Sequence, residues 1–164
     1  MPNINPKKPG SVFYPNHLVT VTLPIGAGAI VQGRLYTLDD DGYVVGAAAA
    51  DGFLRGAFQA TRSVDAAAEG TNTAQFFAVR SRIGLQTMAN NTGEDLGPGD
   101  LLKYDYATHR VALWTSAGGS PTKAELWSKI GSVYEVYTKA EITKKKLKTV
   151  SGDIVVVDFG IGVA

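Results

Sequence analysis

The chain contains no cysteine among its 164 residues. Disulfide bonds, thiol catalysis and cysteine-ligated metal sites are therefore excluded. It has only two histidines, His17 and His109, and their spacing does not match a zinc-binding pattern. We therefore expect neither a metal nor another cofactor.

Charge is also scarce: Asp, Glu, Lys and Arg make up 19% of the residues, against roughly 25% in an average soluble domain. A surface with so few charges favours coverage by a partner. The formal net charge is +1, which predicts no strong attraction to nucleic acid or to an anionic membrane.

Long hydrophobic runs are missing. The longest stretches without a strongly polar residue are residues 23–31 and 43–50, whereas a membrane-spanning helix needs about 20 residues. The first ten residues, M-P-N-I-N-P-K-K-P-G, lack the apolar segment of a signal peptide. We expect synthesis in the cytoplasm, without an export signal and without a membrane partner.

Two short patterns fall short of binding motifs. In D-D-D-G at residues 39–42, alignment with a calcium loop would need Asp at Thr37 and Glu at Ala48. The G-A-G at residues 26–28 lacks the third glycine of a dinucleotide fingerprint, and no βαβ unit follows it. The first pattern predicts a hairpin turn and the second a loop.

No nucleophile-elbow motif accompanies the two histidines. A catalytic triad assembles only in space, so a hydrolase that uses His17 or His109 stays open as a minor alternative. The main prediction is a protein that is not an enzyme.

Short segments rich in β-branched and aromatic residues alternate with Gly, Pro and Asp turns, which is typical of strands. The predicted strands are residues 18–23, 30–38, 43–48, 54–60, 73–82, 84–88, 101–106, 111–115, 130–137 and 153–159. Residues 63–70 are predicted as one helical turn or a loop. This pattern indicates an all-β small barrel or sandwich.

One short helix is predicted at residues 122–129. Thr122 and Glu125 have the T-x-x-E spacing of a capping box, and Gly131 stands where a helix C-cap is expected.

The first sixteen residues contain four prolines and little periodicity, which predicts an extended N-terminal arm before a β domain at residues 17–164. The arm is either a disordered tail or a segment that becomes ordered on a neighbouring subunit. In the second case its anchors are Ile4, Val12, Phe13 and Tyr14.

Three further features are candidate contacts. The run Lys144, Lys145 and Lys146 either guards a sheet edge against pairing or contacts an acidic protein surface or nucleic acid; the near-zero net charge argues against nucleic acid. Trp114 and Trp127 are either core residues or interface anchors, since Trp is enriched in binding hot spots.

An ordered set of motifs resembles the capsid decoration (cement) proteins of tailed viruses with an HK97-type shell. The motifs are V-Q-G-R-L-Y, D-G-Y-V-V-G-A-A-A-A-D-G, L-R-G-A-F, L-G-P-G-D-L-L-K-Y-D-Y-A-T-H-R-V, K-I-G-S-V-Y-E-V and G-D-I-V-V-V-D-F. Residues 116–128 and the longer arm stand as additions to that pattern.

The resemblance implies a β-tulip-like or small-barrel fold and a place on the outer capsid surface of a bacteriophage virion. There the protein would bridge capsomers by binding the major capsid protein, as a homotrimer, and stabilise the shell without enzymatic activity. A different class also fits the aromatic content: a ligand- or carbohydrate-binding β domain that acts in host attachment.

Overall fold

The computed structural model describes residues 12–13, 19–79, 85–89, 96–115, 118–137, 145–146 and 154–159. These residues form strands and one short helix, and both sheets are antiparallel, so the all-β prediction is confirmed. The elements are β1 (Val12–Phe13), β2 (Thr20–Pro24), β3 (Leu35–Leu38), β4 (Val44–Gly46), β5 (Ala57–Ala60), β6 (Thr73–Val79), β7 (Leu85–Ala89), β8 (Leu101–Asp105), β9 (Arg110–Leu113), α1 (Lys123–Ser128), β10 (Lys129–Tyr137), β11 (Lys145–Lys146) and β12 (Ile154–Phe159).

The first sheet has five strands in the order β2-β6-β5-β3-β4. It curls until its two edges meet, because Ile25, which follows β2, forms a parallel bridge with Val44 of β4. The Gly26 N–H also donates to the Val44 carbonyl at 2.9 Å. The sheet thereby encloses its own apolar interior, made of Ile25, Ile30, Tyr36, Val44, Ala60, Ala74 and Phe76.

The second sheet has seven strands in the order β1-β7-β12-β10-β8-β9, with β11 paired to β10. It packs against the outside of the first sheet, and a second core lies between the two. Side-chain alternation makes this possible: on β3, Leu35 belongs to the core between the sheets and Tyr36 to the interior of the first sheet. The remaining members of the inter-sheet core are Phe53, Ala57, Val79, Leu96, Leu102, Tyr104, Val111, Ile130, Val133, Val155, Val157 and Phe159.

The hairpins are where the sequence predicts them. Asp39 directly follows β3, its N–H donates to the Tyr43 carbonyl, and β3 pairs with β4 across the turn. The second hairpin joins β8 to β9, with Asp105 opposite Arg110.

Two predicted strands begin later than expected. Residues 31–34 form a turn in which the Arg34 N–H donates to the Val31 carbonyl and Gly33 has φ 83°, so β3 starts at Leu35. Residues 51–56 form turns that delay β5 until Ala57. Residues 63–70 form a loop, and Val64 within it pairs with Ile30.

The predicted helix and its capping box are confirmed. Thr122 Oγ1 accepts from the Glu125 N–H at 3.2 Å, and Glu125 Oε2 accepts from the Thr122 N–H at 2.7 Å. The predicted C-cap is wrong: the cap is Lys129, in extended conformation, and the chain continues directly into β10. Gly131 lies inside that strand, opposite Phe159.

Part of the predicted arm is paired within the chain. Val12 and Phe13 form β1, opposite Gln86 and Leu85 of β7. The rest of residues 1–16 lie outside the described residues, so the domain boundary stays a prediction.

Candidate functional surface

The predicted contact residues fall into three groups. Ile4, Tyr14 and Lys144 lie outside the described residues. Val12, Phe13, Lys145 and Lys146 are described in their backbone only. Trp114 and Trp127 are described fully, and both are half-buried.

The basic run reaches the second sheet. Lys145 and Lys146 form β11, which pairs with Tyr137 and Val136 of β10. This places at least two lysines of the run on a short strand beside β10.

Trp114 ties α1 to the second sheet. Its indole Nε1–H donates to the Glu125 carbonyl at 2.9 Å, and Lys129 Nζ lies 5.0 Å from its ring centroid. Lys129 is only 7% exposed, and its ammonium lies over the face of the ring in a cation–π contact. The indole N–H of Trp114 thus forms its hydrogen bond within the chain.

Trp127 lies on α1 beside the 51–56 turns. Its carbonyl accepts the Phe53 N–H at 3.2 Å. None of the residues of α1 is buried, so the helix is partly open to solvent. The hydrogen bond to the Trp127 carbonyl connects the backbone of α1 to Phe53 of the core.

An exposed apolar surface lies on the outer side of the second sheet. Leu102 and Val133 point into the core, so their neighbours Leu101 and Ser132, which are paired across β8 and β10, point outward. Leu101 is 39% exposed, and Tyr134, two positions beyond Ser132, is 45% exposed. Trp114 lies next to Leu101, to whose carbonyl its N–H donates. We call Leu101, Trp114 and Tyr134 the outer patch.

A cleft of about 360 Å³ separates α1 from the end of β8. Its lining mixes charge, hydroxyl and aromatic groups: Lys103, Asp105, Tyr106, Glu125 and Ser128, with Ala49, Tyr104 and Ala124. The Ser128 hydroxyl donates to the Glu125 carbonyl at 2.7 Å. The cleft therefore combines aromatic and aliphatic groups with a few charged and hydroxyl groups.

His109 sits in the β8–β9 turn and contacts Tyr104. Its Nδ1 is 3.1 Å from the Tyr104 hydroxyl, and that hydroxyl also accepts the Leu35 N–H at 3.4 Å. Burial raises the pKa of Tyr104 far above its ordinary value. Tyr104 is buried, whereas His109 is half-buried in the turn.

Two carboxylates of the turn at residues 39–42 bond to other groups of the chain. Asp39 Oδ1 accepts from the N–H groups of Asp41 and Tyr43, at 3.0 and 2.8 Å, and Asp40 pairs with Arg55 at 2.5 Å. Among the described residues, no three acidic or histidine side chains are grouped so that they could hold a metal ion.

Sequence reasoning missed the polar contacts that depend on distant partners. Lys129 and Gln59 are both buried, and the Gln59 side-chain amide donates to the Gly33 carbonyl at 2.9 Å. Their sequence neighbourhoods carry no signal of this, because the partners, Gly33 and Trp114, lie in other segments of the chain.

Comparison with protein-family models, with curated proteins and with solved structures gave no match. Within the described part of the chain, no helix has the length and apolar character to cross a membrane. A functional proposal for this protein therefore depends on its own residues.

Proposed function

We propose that this protein is a structural, non-enzymatic decoration protein of a tailed-virus capsid, which binds the outside of the shell and bridges capsomers. The observation that carries the proposal is the outer patch, in which the large side chains of Leu101 and Tyr134 are exposed on adjacent strands of the second sheet. Exposed apolar groups on a fixed surface are typical of protein-binding sites.

The strand next to the outer patch also supports a protein-binding surface. β11, which carries Lys145 and Lys146, pairs with β10 two to three residues beyond Tyr134. Apolar groups beside lysines fit a partner surface that is apolar at its centre and acidic at its rim. The ordered sequence motifs favour the major capsid protein as that partner.

Many weak contacts are enough for such a role. A shell presents the same site in many copies, and a protein that bridges two sites gains from a high effective concentration. A homotrimer would satisfy closed symmetry and multiply the contacts threefold.

The first test is quantitative mass spectrometry of virions that carry this gene. A copy number near that of the major capsid protein supports the proposal, and absence from virions overturns it. A few copies per particle would instead indicate a fibre or vertex component.

The second test is binding of the purified protein to shells stripped of it. The double variant Leu101→Asp, Tyr134→Asp is expected to bind at least about tenfold more weakly, since a charge at the centre of an interface is left desolvated. Leu54→Asp is the matched control, because Leu54 is 38% exposed and lies in the 51–56 turns. Equal affinity of the double variant and the control would rule out the outer patch as the contact.

The arm is tested in the same assay by deletion of residues 1–11, which keeps β1 in place. We expect weaker shell binding from a domain that stays folded. Deletion of residues 1–16 also removes β1 and its pairing with β7, so its unfolding midpoint must be measured alongside. Unchanged shell affinity after the shorter deletion would contradict a binding role for residues 1–11.

A second candidate function is binding of a carbohydrate in host attachment, which the polar and aromatic lining of the cleft between α1 and β8 favours. A glycan screen with the wild type and with Glu125→Gln tests it. A specific glycan whose binding depends on Glu125 would support this candidate over shell decoration.

A further inference from the structure

The turn before β3 is held at both ends by tyrosine hydroxyls. Tyr36 Oη accepts the Val31 N–H at 2.8 Å, and Tyr104 Oη accepts the Leu35 N–H at 3.4 Å. Tyr36 belongs to the first sheet, whereas Tyr104 is on β8 of the second. The bond from Leu35 to Tyr104 is therefore a polar link between the two sheets.

His109 extends this link. Its Nδ1 lies 3.1 Å from Tyr104 Oη, and its backbone is fixed in the left-handed region at φ 57°, the one such conformation among the described non-glycine residues. Its N–H donates to the Asp105 carbonyl at 2.8 Å. Asp105 Oδ1 also accepts the N–H groups of Ala107 and Thr108. The turn thus holds the imidazole against Tyr104.

Protonation of the imidazole changes the direction of the hydrogen bond between His109 and Tyr104. Tyr104 Oη receives the Leu35 N–H, so its own proton is available for an acceptor, and Nδ1 of neutral histidine is an acceptor when the ring proton is on Nε2. A protonated imidazole carries a proton on both nitrogens. Its Nδ1–H then donates to the Tyr104 oxygen in competition with the Leu35 N–H, and the hydroxyl proton loses its acceptor.

We propose that Tyr104 and His109 form a pH-sensitive latch between the two sheets, which is closed when His109 is neutral and opens when it is protonated. Opening would release the Leu35 N–H and loosen the turn before β3. This inference does not depend on the proposed function.

The charged neighbours set the pH at which the latch acts. Burial lowers the pKa of His109, the Arg34 guanidinium lowers it further, and the Asp105 carboxylate opposes them, with a net shift downward. The neighbouring tyrosines, Tyr36 and Tyr106, have raised pKa values, as Tyr104 does, so they stay neutral in this range. The latch therefore opens below the ordinary histidine pKa of about 6.5.

Protonation of His109 lowers the stability of the folded state. The folded state binds fewer protons at His109 than the unfolded chain does between the lowered and the ordinary pKa. The contribution of neutral His109 to stability is fully present above about pH 6.5 and is lost as the pH decreases through the folded-state pKa.

The test is amide hydrogen exchange of Leu35 and Val31 from pH 7.5 to pH 5, corrected for the intrinsic exchange rate. In the wild type, the protection of the Leu35 amide is expected to drop about tenfold or more, whereas Val31, held by Tyr36, changes little. In His109→Asn, a residue that tolerates the left-handed region, the pH-dependent part of the drop should vanish. His17→Asn is the control for the second histidine and should behave as the wild type does.

Two further measurements test the latch, one on a Tyr104 variant and one on the titration of His109. Tyr104→Phe should leave Leu35 weakly protected at both pH values, and an NMR titration should give a pKa below 6.5 for His109. Parallel loss at Val31 and Leu35, an unchanged pH response in His109→Asn, or a His109 pKa above 6.5 would each overturn the latch.

Discussion

Gly131 and Asp158 approach each other so closely across β10 and β12 that a Cβ on residue 131 would overlap the main-chain carbonyl oxygen of Asp158. The backbone of Gly131 also has φ 146°, a conformation that side chains disfavour. This position sits beside the register shift between Lys129 and Gly131. The close pairing of β10 with β12 therefore requires a glycine at position 131.

Gly131→Ala is expected to destabilise the fold by about 2 kcal/mol or more, because the clash is with backbone atoms and cannot be relieved by a side-chain rotation. Gly119→Ala is the matched control, since a Cβ there meets nothing within 4 Å. Urea unfolding of both variants measures the difference. Equal midpoints would show that β10 and β12 can separate without loss of stability.

Local chemistry made part of this structure predictable. The turn at residues 39–42, the β8–β9 hairpin and the capping box of Thr122 and Glu125 each depend on residues within a few positions of one another. Composition and alternation were enough for the all-β class. Gly131 was predicted as a helix C-cap because a glycine after a helix is usually one, and only the distant strand β12 explains its real role.

The candidate surface was less predictable for the same reason. Trp114 was expected either in the core or at an interface, and its bond to Glu125 and its contact with Lys129 depend on residues of α1 and β10 that no local pattern around Trp114 indicates. The exposure of Leu101 follows from strand register, which the sequence of β8 alone leaves undetermined. The link from Leu35 to Tyr104 joins residues 69 positions apart, beyond the reach of any local pattern.

Phe53 is one of the largest buried side chains of the core. It is fully buried between the sheets, and its ring lies 5.6 Å from that of Tyr104 and 6.0 Å from that of Tyr106, centroid to centroid. Phe53→Ala is expected to cost about 3–5 kcal/mol through lost burial and the cavity left behind. The neighbouring change Leu54→Ala, at an exposed position, should cost less than about 1 kcal/mol. Thermal or urea unfolding distinguishes them, and similar losses would place the core elsewhere.

Removal of the hydroxyl group is expected to change the free energy of unfolding differently at Tyr36 and at Tyr106. Tyr36 Oη accepts the Val31 N–H, so Tyr36→Phe is expected to cost about 1 kcal/mol. Tyr106 Oη is buried without a hydrogen-bond partner among the described residues, so Tyr106→Phe should be neutral or slightly stabilising. Unfolding free energies of the two variants, measured side by side, check this. A destabilised Tyr106→Phe would mean that its hydroxyl has a partner.

Trp114→Phe is expected to loosen α1. The variant keeps an aromatic ring against Lys129 and loses the bond from Nε1 to the Glu125 carbonyl, worth about 1 kcal/mol. Amide exchange within α1 should increase, with little change in β12. Trp127→Phe is the comparison, because the structure gives that residue a backbone contact with Phe53 that the substitution keeps. An unchanged α1 in Trp114→Phe would show that another contact holds the helix.

Alkaline solution should destabilise the fold through its buried tyrosines. Burial raises the pKa of Tyr106 to about 12 and raises that of Tyr36 and Tyr104 as well. The unfolded chain releases these protons near pH 10, and the folded chain retains them, so the folded state binds more protons and stability falls as the pH rises above about 10. Tyr106→Phe removes one such group, so its stability should decline less steeply between pH 9 and pH 11 than that of the wild type. Urea unfolding across this range measures the slope, and identical slopes for the two proteins would contradict burial of Tyr106 as a source of the decline.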